Sequence, residues 1–331
     1  MTNLKNPNLK ELAEKVKKGD RRALAKAITL AESTRLDHQD YLKVILDKLK
    51  MHSGSSIKIG LTGTPGVGKS TFIETLGLQL IKNGKKVAVL AIDPSSITTG
   101  GSILGDKTRM ELLSREKNAF IRPSPNAGSL GGVAKRTREA IALCEAAGYE
   151  IILVETVGVG QSETMVSEMT DVFCLLVAPA GGDELQGVKR GIIEISDIIL
   201  INKADGELES IANYTSSQYQ SAISLFRHRK HDPNNFPKVM PMSSLSNLSV
   251  SKTWSAIEEL ILWRKQFGYF DEIRRNQKIM SFNRELRNVF EEKILGAKDI
   301  QNEINAMKKK LYSGFITPES AAEHLIKAIL N

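Results

Sequence analysis

The stretch Gly63-Thr64-Pro65-Gly66-Val67-Gly68-Lys69-Ser70 sets glycines, a lysine and a hydroxyl at a spacing suited to holding a chain of phosphates. An apolar run, Ile57–Thr62, precedes it as a strand, and a helix is expected from Lys69 onward. Gly63, Gly66 and Gly68 let the backbone turn with its N–H groups inward. The amides from Val67 to Thr71 lead into the positive end of the helix. Lys69 would neutralise the β- and γ-phosphates, and the Ser70 hydroxyl would coordinate Mg²⁺.

Three acids are candidates for the metal side of such a site. Asp93 follows the apolar strand Val87–Ile92, Glu155 follows Ile151–Val154, and Asp106 lies in the loop Gly101–Arg109. A carboxylate ending a buried strand beside a phosphate loop holds Mg²⁺ directly or through its water. For Asp93, before Pro94-Ser95-Ser96, a helix cap is the competing reading. Glu155 opens Glu155-Thr156-Val157-Gly158-Val159-Gly160-Gln161-Ser162-Glu163, a segment suited to sensing a γ-phosphate through the Gly158 amide. Gln161 or Glu163 orients the attacking water on one reading and is a solvated loop residue on the other. Asn202-Lys203-Ala204-Asp205, after the strand Ile198–Ile201, supplies base recognition. Asp205 can accept from the ring N–H and the exocyclic amine of guanine, which adenine does not offer there, so GTP is expected over ATP. Lys203 would lie along base and ribose, with Asn202 bracing the loop.

Together with Val89–Ser96, Gly105–Met110 and Glu155–Glu163, these motifs closely resemble the MeaB/ArgK family of P-loop GTPases, and the likeness runs from Gly19-Asp20-Arg21 to the C-terminal helices. The resemblance implies a GTPase that gates cofactor loading of, and protects or reactivates, an adenosylcobalamin-dependent mutase, usually methylmalonyl-CoA mutase. Ser70, Asp93, Asp106 and Glu155 match its Mg²⁺ and switch positions. Gly181–Lys189 matches a further loop whose lysine, here Lys189, approaches the nucleotide when the partner docks. Lys69, Glu155 and Lys189 are thus the catalytic candidates. One departure is the loop completing the guanine pocket, usually Ser-Ala-hydrophobic followed by glycines, which reads Ser243-Ser244-Leu245-Ser246-Asn247-Leu248-Ser249. Ser243 can still offer backbone to the base, and Ser244 stands beside it. Rival readings are an accessory NTPase of lysine/arginine/ornithine transport, a nucleotide-gated regulator, and a metal-insertion GTPase. The last would want a Cys/His cluster that five scattered histidines and two isolated cysteines do not make.

The elements that must position these residues read as an α/β fold, a P-loop NTPase with a mostly parallel sheet and helical extensions at both ends. Strands are expected at Ile57–Thr62, Lys86–Ile92, Ala119–Arg122, Ile151–Glu155, Val172–Val177, Ile198–Ile201 and Val239–Met242. Helices are expected at Lys69–Asn83, Lys107–Arg115, Gly132–Ala147, Leu185–Ile195 and Glu207–Arg229. In such sheets ligands bind at the carboxyl ends of the strands. Three amphipathic helices within residues 1–53 form an N-terminal extension, joined through Ser53-Gly54-Ser55-Ser56 to a GTPase domain of residues 54–267. Residues 268–331 carry further apolar stripes and form a helical dimerisation region, since appended helices often pair between chains and family members look like homodimers. The 331 residues carry a net charge of +8, but Lys and Arg are mixed with Glu and Asp along helices, so no nucleic-acid partner is expected. No apolar run nears the roughly 18 residues of a membrane span, and the first residues lack a signal-peptide core, which points to the cytoplasm.

Overall fold

The computed structural model describes residues 8–50, 54, 56–93, 110–125, 130–156, 162–179 and 190–330. All seven expected strands form: β1 Ile57–Gly63, β2 Val87–Asp93, β3 Ala119–Pro125, β4 Ile151–Thr156, β5 Val172–Val177, β6 Ile198–Ile201 and β7 Lys238–Pro241. They build one parallel sheet in the order β3-β2-β4-β1-β5-β6-β7. The chain moves to one side of β1 for β2–β4 and to the other for β5–β7. The carboxyl end of β1 is therefore a switch point, where parallel sheets open a crevice.

Successive strand residues point to opposite faces, so odd and even positions enter two different cores. Ala88, Leu90, Ile152, Val154, Phe173 and Leu175 face one layer, built on α1 Leu9–Lys17, α2 Arg21–Glu32, α3 Leu36–Leu49 and further helices. Val87, Val89, Ile151, Leu153, Ile59 and Leu61 face the other layer, formed by α4 Lys69–Lys82, α5 Glu111–Arg115 and, later in the chain, a long helix closing the base side. Both sheet faces are covered, which is why the strands read as continuous apolar runs rather than alternating ones.

The N-terminal helices start as the sequence suggests. Asn8 caps α1 and Asp20 caps α2 through their side chains. Their apolar stripes pack with α6 Leu130–Ala146, so this helical layer shares its core with the sheet. The expected hinge at residues 53–56 is clasped where it is described. The buried Glu145 carboxylate of α6 accepts from the Ser56 hydroxyl at 2.5 Å and from the Gly54 amide at 3.1 Å. Glu145→Ala removes both charge-assisted bonds and is expected to cost about 2–3 kcal/mol in urea unfolding. Parental stability in that variant would refute the clasp.

Two helices differ from expectation, and a third is described only in part. A six-residue α7, Ser162–Ser167, follows β4 where the sequence predicts only a glycine-bearing segment. α8 is described over Arg190–Ile195, and its expected start at Leu185 lies outside the described residues. α9, Glu209–Ser224, stops short of Arg229, because that arginine leaves the helix to bond Asp197 at the start of β6. The chain then forms α10 Asn247–Gln266, α11 Tyr269–Phe290 with one π-turn at Glu291–Leu295, α12 Lys298–Tyr312 and α13 Pro318–Leu330. A first compact unit runs to Ile273, and Arg274–Asn331 form a second. Within the second, α12 packs against α13, and Thr317 accepts from the Ser320 amide at the start of α13. Among the described residues no helix is long and apolar enough to cross a membrane.

Candidate functional site

The loop between β1 and α4 closes at the switch point. Gly63 has φ 148°, and a Cβ there would lie 2.3 Å from the Leu176 carbonyl oxygen of β5, so no other residue fits. Gly66 forms the exposed turn, while Val67 buries its side chain in the α4-side core. Gly68 precedes α4 with φ 98°, and a Cβ there would meet Asn202 Nδ2 at 2.5 Å. Gly68 has no side chain to cap α4, and the first turn, through Ser70 and the half-buried Thr71, presents amides of the kind that bind an anion. Lys69 is buried and donates to the carbonyls of Gly63, at 2.7 Å, and Thr64, at 3.1 Å. These two carbonyls place the ammonium over the loop, and as neutral acceptors they bind it less strongly than charged phosphate oxygens would.

Glu155 lies on the same face of β4 as Leu153, towards α4, and pairs in register with Leu61 and Ala91. The Ser70 hydroxyl donates to its Oε1 at 3.3 Å. One residue further along β1 and β4, the buried Thr156 hydroxyl donates to that of Thr62 at 2.8 Å and ties the ends of the two strands. Asp93 is the final residue of β2. Asp106, Gly158 and Lys189 lie outside the described residues.

The base side grows from β6 and β7. Asn202 continues β6 by bonding the Val177 carbonyl, and Ala204 donates to the Met242 carbonyl. Between them Lys203 takes φ 59°, a left-handed conformation rare for a lysine. That turn leaves Lys203 and Asp205 exposed, and Asp205 does not cap the short helical turn Gly206–Leu208 that follows. Asn202 is buried at the centre. Its Nδ2 donates to the Val67 carbonyl at 2.7 Å, and its Oδ1 accepts from the Ser244 amide at 2.9 Å and hydroxyl at 2.8 Å. The phosphate loop, the base motif and the Ser243–Ser249 loop are therefore one hydrogen-bonded unit.

That last loop finds its path without glycines. Ser243 Oγ accepts from the Leu245 amide, the Ser246 amide closes on the Ser243 carbonyl, and Ser246 caps α10 by accepting from Ser249. Serine side chains do locally what glycine torsions do in the usual pattern. Ser243 and Ser244 are both buried in this loop.

Sequence reasoning missed the polar row on α4. Glu74 accepts from the Leu112 amide at the start of α5, and Thr75 and Gln79 reach the base loop. Their spacing of four on a helix otherwise packed against the sheet was the available signal. Burial pushes the thiols of Cys144 and Cys174 well up, so both are inert core groups rather than nucleophiles.

The family described as "Methylmalonyl Co-A mutase-associated GTPase MeaB" matches residues 24–299. The chain belongs to this family. It is 43% identical over 316 residues to a probable GTPase of Mycobacterium tuberculosis, covering 96% of this chain and 94% of that one. It is 45% identical over 322 residues to the mouse protein named methylmalonic aciduria type A homolog, mitochondrial, covering 94% and 77%. Among solved structures, that of a protein named LAO/AO transport system kinase superposes with a TM-score of 0.79 at 32% identity, covering the whole of both chains. The MeaB membership and the phosphate-loop geometry agree: the chain is a P-loop GTPase that binds guanine nucleotide.

Proposed function

We propose that this MeaB-family GTPase uses GTP hydrolysis to gate adenosylcobalamin loading of a mutase, most simply methylmalonyl-CoA mutase, and to protect or reactivate it. The family's description and the mouse relative's name support the client. The observation that carries the chemistry is the convergence of Lys69, Ser70 and Glu155 at the uncapped start of α4, joined through Asn202 to the base motif. Lys69 and the loop amides would stabilise charge on the transferring phosphoryl group. Ser70 Oγ and Glu155 Oε1 are hard oxygen donors 3.3 Å apart, and Mg²⁺ asks for only one or two protein oxygens beside phosphates and water, so these residues fit that ion. When bound, Mg²⁺ would neutralise phosphate charge there. Asp93 and Asp106 would support it, and Gly158 and Lys189 would act from the loops that answer to the client.

Lys203 and Asp205 are proposed to read guanine. Asp205→Asn replaces one of two acceptors by a donor, so the GTP-over-ATP ratio of kcat/KM should fall at least 100-fold. An unchanged ratio refutes the base assignment. The deciding assay for the client is GTP and ATP turnover with and without methylmalonyl-CoA mutase from the same source. GTP-selective turnover that rises with the mutase supports the reading, whereas turnover indifferent to it removes the mutase from the proposal. The solved relative's name favours a second reading, a transport-associated kinase. That reading predicts phosphoryl transfer to a protein rather than to water, which the same assay with labelled γ-phosphate separates.

We also propose a homodimer through the C-terminal helices. In the second unit, α11 exposes Ile279, Phe282, Leu286, Val289 and Phe290 at helical spacing, an apolar stripe of the kind that pairs between chains. A monomer in sedimentation at micromolar concentration would overturn this.

A further inference from the structure

Ser244 is pinned from two directions. Its amide and hydroxyl go to Asn202, and its carbonyl accepts from the Thr75 hydroxyl of α4 at 2.8 Å. One turn further along α4, Gln79 Nε2 donates to the Asn247 carbonyl at 2.8 Å and side-chain oxygen at 3.0 Å, and Gln79 Oε1 accepts from Ser251 at 3.1 Å. Because Asn202 is itself bonded to Val67 in the phosphate loop, the links form a closed ring: Val67, Asn202, Ser244, Thr75, and back along α4 to Gly68.

We propose that Thr75, seconded by Gln79, is a positioning residue for bound guanine nucleotide, holding the base-side loop closed from the phosphate-binding helix. The inference rests on reading Asn202–Asp205 and the following serines as the guanine site. With Thr75 in place, the loop cannot pivot about Asn202 without breaking a second bond. Without it, the Ser244 carbonyl, in a residue only 4% exposed, has lost its donor in the closed state and regains water by opening. Opening this loop uncovers the base, so the closing bond acts on release. Thr75 is the stronger element, since Gln79 makes its contacts at the surface in competition with water.

The test is release of a fluorescent GDP analogue from the full-length protein by stopped flow, beside thermal melting of the nucleotide-free protein. Thr75→Val keeps shape and removes the hydroxyl. Release should quicken about three- to tenfold, the worth of one hydrogen bond, and Thr75→Ser should restore the parental rate. Gln79→Leu should quicken it less. Release within 1.5-fold of the parent in Thr75→Val overturns the proposal, as does a lowered melting temperature with unchanged release, which marks a purely structural bond. A parent protein that holds the GDP and ADP analogues equally well overturns the guanine reading first, and this proposal with it. Guanine selectivity with unchanged release overturns this proposal alone.

Discussion

Lys69→Ala should lower GTP turnover by about 10²- to 10³-fold, the loss that follows removal of one preorganised charge-stabilising donor. The side chain is 7% exposed and its ammonium is already desolvated over the loop, on the Gly63 and Thr64 carbonyls. A cation in that setting acts on phosphate charge far more strongly than it would in water. The substitution should leave the fold in place, since the glycine torsions and the Asn202–Val67 bond that shape the loop do not pass through Lys69. Lys69→Arg should not rescue it, because a planar fork cannot take the place of a compact ammonium in a loop this tight. Phosphate release under single-turnover conditions is the measurement. A rate within threefold of the parent removes Lys69 from catalysis.

The contrast between what could and could not be read from sequence has a physical pattern. Buried parallel strands announce themselves, because apolar residues on both faces leave no ambiguity between Ile151–Val154 and a surface segment. The edge strand β7, only half-buried, came out one residue away from its expected span. The glycine-rich loop and Asn202–Asp205 were legible because their chemistry lies in local spacing. Thr75 and Gln79 were not, since their partners are about 170 residues away and a threonine on a helix reads as neutral. α7 escaped because six residues with two buried apolar side chains, Met165 and Val166, make no period. α11 begins earlier than its apolar residues suggest. Its first turn is anchored by the buried Phe270, and the mostly polar stretch from Asp271 to Lys278, interrupted only by Ile273, hides the helical period that follows.

The least legible group lies at the opposite ends of the strands from the phosphate loop, and it carries the second large effect. Arg264, in the last turn of α10, is 3% exposed, and all three guanidinium nitrogens are engaged. Nε and Nη2 donate to Asp232, Nη2 also to Asp197 at 2.7 Å, and Nη1 to the Asp171 carbonyl at 2.6 Å. Arg229 adds a bond to Asp197 at 2.8 Å and holds the carbonyls of Ser196 and Glu194 behind α8. In a sequence, an arginine ending an amphipathic helix reads as solvated, and only the fold brings two aspartates to it.

Arg264→Ala leaves Asp197 and Asp232 buried with one cation between them, and should destabilise the protein by about 3–5 kcal/mol at neutral pH. Burial alone would raise the Asp197 carboxyl, but Arg264 and Arg229 more than reverse this and hold it below the usual range. A depressed carboxylate stabilises the fold above its unfolded pKa, and that contribution is lost as pH falls through the folded value. The parent should therefore keep this contribution down to about pH 4. In Arg264→Ala the burial penalty on Asp197 is offset only by Arg229 and the Phe173 amide, so keeping its carboxylate charged costs more and the deficit should shrink between about pH 7 and about pH 4.5. Urea unfolding at both values checks the sign, and a deficit that stays constant with pH would assign it to lost packing instead. Because α10 starts at the base loop, capped by Ser246, and ends at Arg264, loosening its far end should also weaken guanine-nucleotide binding. A variant that loses stability and keeps parental GDP affinity would show that the two ends of α10 are energetically independent.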